Sequence, residues 1–182
     1  GERQAYMREM LLHIAHAIRK ARARGKRLVV RPNGSTDIAY EGVRVMIEPE
    51  FAAELSEIAS FPVPSGAQTI FTAFPRVQFV DYTKNPGRMT RMSLVTWPKN
   101  YDLTFSRSEI NEGDCAAVLA MVRNVAVIFV DGLPAAWQNF PVIDGDKHDL
   151  RPLDTKGVVV GLSPKGYKAK KSTNGFIVRN AA

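Results

Sequence analysis

The chain is expected to fold as an α+β domain: a mixed β-sheet with flanking helices. Three observations carry that expectation. Strand-like stretches outnumber helical ones. The helical stretches near residues 51–60 and 112–123 are separated by several of those strands. Val125–Val130 is a continuous apolar run, the mark of a strand buried on both faces. At 182 residues a single domain over 1–182 is expected, with the basic helix and strand of residues 1–31 as an appendage.

In residues 3–24, Met7, Leu11, Ile14, Ala15 and Ile18 recur at three-to-four spacing, which predicts an amphipathic helix. Gly25 is its expected stop. Glu9, His13 and His16 fall on another side and read as exposed, since no Cys or further His completes a metal shell. Arg27–Arg31 reads as a strand. Asp37–Tyr40 and Val43–Ile47 read as a hairpin across Glu41-Gly42. Pro49 opens a helix to about residue 60, with Phe51, Leu55 and Ile58 inward. The stretch from Pro62 to Gly66 is a loop and a candidate joint. Ala67–Phe74 and Arg76–Tyr82 alternate like strands, and Thr83–Arg88 reads as a polar loop with two bases. Tyr101–Phe105 is a short strand. Ser108 is the expected cap of a helix ending near Arg123, whose apolar members make Cys115 a core residue. Leu133–Trp137 is a loop. Val158–Leu162 and Phe176–Val178 are the last strands.

Charge is segregated. Residues 1–31 hold nine Lys/Arg against two Glu, residues 32–155 ten against sixteen acids, and residues 156–182 six against none. An acidic body with two basic ends suits nucleic acid, an anionic membrane surface or an acidic partner, and solubility alone is the plain alternative. The cationic candidates for DNA are Arg19, Lys20, Arg22, Arg24, Lys26 and Arg27 at one end and Lys165, Lys168, Lys170 and Lys171 at the other. The lone Cys115 permits no internal disulfide, which fits a reducing compartment. No apolar run approaches the length that crosses a bilayer. The expected location is cytoplasmic, with a peripheral position at the inner membrane as the variant that the basic ends allow.

The densest chemistry lies in residues 141–154. Val142 and Ile143 run into an Asp144-Gly145 turn, and Asp144, Asp146, Asp149 and Asp154 alternate with Lys147, His148 and Arg151. Crowded acids are tolerated where they hold a cation, and crowded bases where they hold an anion. Asp144 and Asp146 are the candidate ligands of a divalent metal, Mg or Mn, and Asp149 adds a third acid. His148 suits a general base near neutral pH. Gly145, Lys147, His148 and Arg151 combine a turn backbone with cations, the needs of a polyphosphate such as ATP. Arg107 and Glu109 sit where a strand gives way to a helix, a common place for a binding or catalytic group. A solvated acidic turn with local ion pairs is the competing reading.

The strand followed by Gly145-Asp146-Lys147-His148 resembles the ParB/sulfiredoxin superfamily, where such residues hold nucleotide phosphates. Continued through Gly157–Gly166, and back through Tyr82–Pro86 and Leu103–Glu109, the pattern is similar to plasmid fertility-inhibition proteins of that superfamily over roughly residues 75–178. The resemblance implies a ParB/sulfiredoxin-like fold, NTP hydrolysis and DNA cleavage. It also implies suppression of transfer of a DNA strand through a type IV secretion system. His148 stands where the superfamily has Arg, which passes the phosphate contact to Lys147 or Arg151. Asp146 stands at the sulfiredoxin cysteine position, which argues against that chemistry. Two other function classes remain: a non-catalytic inhibitor of a secretion ATPase or coupling protein, and a plain DNA-binding module.

Overall fold

In the computed structural model, which describes residues 1–166, 171 and 173–179, the expected apolar stripe forms the buried face of α1 (Glu2–Ala23): Met7, Leu11, Ile14, Ala15 and Ile18 are all buried. The chain divides into two compact units, Gly1–Val80 with Thr96–Tyr101, and Asp81–Val95 with Asp102–Ala182. The loop from Pro62 to Gly66 lies inside the first of these. Its elements are α1, β1 (Val29–Val30), β2 (Val45–Ile47), α2 (Pro49–Ala59), β3 (Gly66–Gln68) and the short α3 (Ile70–Ala73). Strand β4 (Gln78–Thr83) begins in this unit and ends in the other, and so does β5 (Tyr101–Ser106). The second unit continues with α4 (Pro86–Arg91), α5 (Glu112–Ala120), β6 (Val125–Ile128), β7 (Ala136–Trp137), β8 (Phe140–Asp144) and β9 (Val159–Leu162).

A seven-stranded sheet has the order β1-β4-β5-β6-β9-β8-β7. The pairs β1–β4, β5–β6, β6–β9 and β9–β8 are parallel, and the hairpin β7–β8 is antiparallel, so the sheet is mixed and mostly parallel. The α+β expectation holds at this level. Central β6 is buried along nearly its whole length, as its unbroken apolar run requires.

Several local expectations give way to tertiary pairing. Gly42 does not take the positive φ of a two-residue hairpin; Tyr40–Gly42 is a single 3-10 turn, and β2 pairs instead with β3, beyond α2. The expected strand Ala67–Phe74 is cut at Thr69. Its hydroxyl accepts the Thr72 N–H at 3.2 Å while the Thr72 hydroxyl accepts the Thr69 N–H at 2.9 Å, a reciprocal cap that starts α3. Thr83–Arg88 is not a loop. The Asn85 side chain accepts the Gly87 N–H at 2.9 Å and Pro86 takes the first helical position, which starts α4 and buries Arg88. Asn111, not Ser108, stands at the start of α5; its side chain accepts the Ser108 N–H at 2.6 Å and donates to the Ser106 carbonyl at 3.0 Å.

In the first unit, Arg8 pairs with Glu48 and lies 3.9 Å from the centre of the Phe51 ring, fastening α1 to the start of α2. Phe71 packs edge-on against Phe79 at 4.9 Å and stacks on Tyr101 at 4.2 Å. In the second unit, Asn124 donates to the Thr155 carbonyl at 2.9 Å and accepts the Val158 N–H at 3.3 Å, which sets β9 in register beside β6. Cys115 is buried, and burial pushes its thiol up to about 12, so it is a core residue and inert at neutral pH.

Candidate functional site

In the second unit the strands β5, β6, β9 and β8 run in one direction. Ligands of open parallel sheets bind beyond the carboxyl ends of the strands. The residues following those ends are Arg107 after β5, Phe129–Asp131 after β6, Ser163–Lys165 after β9 and Gly145–Asp146 after β8. The ionisable turn expected from the sequence therefore lies at the carboxyl ends of the parallel strands.

The turn is locked by its own acids. Asp144 Oδ1 accepts the Asp146 N–H at 3.0 Å, and Asp146 Oδ2 accepts the Ser163 N–H at 2.7 Å, tying the end of β8 to the end of β9. One carboxylate oxygen of each is thereby engaged, and both side chains stand exposed with Lys147, His148 and Asp149. Gly145 does not adopt a positive φ. Its need is space: a Cβ there would lie 2.4 Å from Val160 Cγ1 and 2.9 Å from Arg151 Nη1.

Arg151, expected on a phosphate, faces inward. It is 1% exposed, donates through Nη2 to the Gly145 carbonyl at 2.9 Å, and lies 3.2 Å from Asp154 Oδ2. Asp154 is buried with it, and His148 Nε2 approaches the same carboxylate at 3.8 Å. Arg151 holds the turn from beneath, which leaves Lys147 and His148 as the exposed basic side chains at its surface.

Arg107 is likewise taken up by the protein. Its guanidinium donates to the Gly175 carbonyl, to the Phe176 carbonyl at 3.0 Å and to Glu112 Oε2 at 2.8 Å. The hydrogen bond from Arg107 holds the Glu112 carboxyl below its usual 4.5. Lys84 lies 4.9 Å from the centre of the Phe176 ring, and Val178 bridges to Phe129 in parallel. The carboxy-terminal segment is thus tied to the ends of β5 and β6. Glu109 is exposed beside Gly175. The ends of β5 and β8 are three strand spacings apart, about 14 Å, so Arg107 and Glu109 do not join the Asp144–Asp146 turn.

Among the described residues no three His, Cys, Asp or Glu side chains form a metal shell. Mg²⁺ commonly binds through one or two carboxylates plus substrate phosphates, and the remaining oxygens of Asp144 and Asp146 fit that pattern. Lys165 lies on the same edge, and sequence reasoning overlooked its neighbours there, Asp131 and Ser163. Asp131-Gly132 follows an apolar strand just as Asp144-Gly145 does, and that repeated pattern was the available signal.

Of the basic candidates, Arg19, Lys20, Arg22, Arg24, Lys26 and Arg27 are exposed at the end of α1 and just beyond it. Arg19 is 3.1 Å from His16 Nδ1, and Arg22 donates to the Ala59 and Ser60 carbonyls at 3.3 and 3.2 Å. Lys171 is exposed; Lys168 and Lys170 lie outside the described residues. No described helix is long and apolar enough to cross a membrane.

No curated protein and no solved structure matches the chain. The family model described as Gene product 88 matches residues 2–180, nearly the whole length. The chain belongs to the Gene product 88 family.

Proposed function

We propose that the turn at the end of β8 binds a divalent cation together with a nucleotide or nucleic-acid phosphate and carries out phosphoryl chemistry there: ATP binding and hydrolysis, and cleavage of transferred DNA. In this reading the protein is a plasmid fertility-inhibition protein with a ParB/sulfiredoxin-like fold, similar to the oncogenic suppression activity protein. It suppresses DNA transfer through a type IV secretion system from the cytoplasmic side. The supporting observation is that Asp144, Asp146, Lys147, His148 and Asp149 are all exposed on the carboxyl edge of a parallel sheet.

Asp144 and Asp146, each held by a backbone N–H, present their remaining oxygens as preformed ligands. When bound, the cation supplies positive charge at the phosphoryl oxygens. Lys147 adds charge toward the phosphate, and His148 accepts a proton from the attacking water. Arg151 acts through the Gly145 carbonyl as a positioning residue.

The test is ATPase and DNase assay of the pure protein with Mg²⁺ or Mn²⁺, with EDTA, and with Asp146→Asn. Turnover should fall by orders of magnitude in EDTA and in the variant. Cleavage that persists in either would remove the metal–carboxylate mechanism. One observation favours a second reading: both acids are also what a purely structural turn would show, each capping a backbone N–H. On that reading the same surface docks on a secretion-system ATPase or coupling protein without turnover. Retained inhibition of transfer by Asp146→Asn in cells would select it.

A further inference from the structure

The first unit carries a different kind of site. Helix α1 ends in a Schellman motif: Gly25 takes φ +63°, the Gly25 N–H bonds the Arg22 carbonyl at 2.9 Å, and the Lys26 N–H bonds the Ala21 carbonyl at 2.9 Å. This turn folds Lys26 and Arg27 back beside Arg22. The loop after α3 brings Arg76 to the same place. The four cations line one concavity of about 240 Å³, together with Ser60 and Phe61, and no carboxylate lines it. Arg22 is held in place by the two carbonyls at the end of α2. Arg76 lies 5.7 Å from the centre of the half-buried Phe61 ring, which packs edge-on against Phe74 at 6.3 Å. Like charges converging on a hollow that no carboxylate lines repel one another, a cost that a bound anion removes.

We propose that this groove binds single-stranded nucleic acid, with backbone phosphates against Lys26, Arg27 and Arg76 and a base against Phe61. Cationic grooves edged by an aromatic ring are the common solution for single strands, because phosphate gives affinity and ring stacking tolerates any base. The shape argues against a membrane. A bilayer presents its phosphates on a broad surface and cannot enter a hollow of this size, and the exposed large apolar residues of the unit, Tyr6, Ile38 and Met46, do not line it. The proposal does not rest on turnover at the β8 turn: it requires binding only.

The experiment is fluorescence anisotropy of a labelled oligothymidylate against the full chain over a salt series. Wild type should bind with a negative log–log salt slope. Arg27→Glu with Arg76→Glu should reduce the slope by about 1.4, the share of two phosphate contacts on a single strand. Arg3→Glu with Lys99→Glu makes the same change in net charge outside the groove and should leave the slope near wild type. Phe61→Leu should weaken binding about tenfold with the slope unchanged, as lost stacking predicts. Wild-type binding should persist in EDTA, without the cation that the β8 turn requires, so a failure of the catalytic reading leaves this one standing. Arg27→Gln with Arg76→Gln serves if charge reversal disturbs folding. Equal slope losses in both charge-reversed pairs, or binding of anionic phosphatidylserine vesicles without binding of the oligonucleotide, would overturn the proposal.

Discussion

Three charged residues illustrate how a side chain is used for the fold rather than for a ligand. Arg151 and Asp154 are a pair with side chains 2% and 3% exposed, and Arg151 also takes the Gly145 carbonyl. Removing one member of such a pair strands the other charge, at about 3–5 kcal/mol. Gly145 sits directly above this pair. Gly145→Ala inserts a methyl 2.4 Å from Val160 Cγ1 and 2.9 Å from Arg151 Nη1. Overpacking of that kind costs about 1–3 kcal/mol. The variant should lose that much in urea unfolding; a midpoint equal to wild type would show that the turn is looser than its geometry. Arg107 repeats the pattern at the end of β5, where it secures the segment from Gly175 to Phe176.

Two helix ends solve one problem with different residues. Helix α1 closes with Gly25 at φ +63°, and α5 closes with the same pair of bonds, Val122 N–H to the Leu119 carbonyl at 2.9 Å and Arg123 N–H to the Val118 carbonyl at 3.2 Å. There the left-handed residue is Val122 at φ +57°, β-branched and 61% exposed. A β-branched residue in that region is strained, and little of its apolar surface is buried in return. Val122→Asn should relieve about 1 kcal/mol, since Asn tolerates the left-handed conformation. In a chain of this size that corresponds to a Tm higher by about 2–4 °C in calorimetry. A lower Tm would mean that the packing of Val122 in the space beside Gly157 outweighs the strain.

For the molecule as a whole, pairing in the sheet sets where the fold opens first. Strand β6 has neighbours on both sides and three buried residues, and β9 is enclosed between β6 and β8. Strand β7 has two residues on the outer flank, neither of them buried. Opening free energies rise with buried apolar contact, so amides of β6 and β9 should exchange with deuterium slowest and those of β7 fastest. Comparable rates in β6 and β7 would contradict the layered order. The carboxyl edge then combines rigid strands with exposed polar turns, the arrangement that holds catalytic or binding groups in fixed geometry.

Much of this could be read from local pattern. The stripe of α1, the apolar run of β6, the Gly25 stop and the buried Cys115 all follow from periodicity or from one residue's conformational preference, and such preferences act within a few neighbours along the chain. The crowded turn at Asp144–Asp149 was equally visible, because turn chemistry is local. Partnership was not. Nothing in the run Tyr40–Ile47 says that its strand pairs across α2 rather than with itself, and nothing near Arg76 says that it meets Arg27. The same holds for the basic residues: Arg107 and Arg151 carry the same guanidinium as Arg27, yet packing turns the first two onto backbone carbonyls and leaves the third at an open groove. Charge and periodicity determine which residues are available; which of them are spent inside the protein depends on burial, and burial is decided by segments distant in the chain.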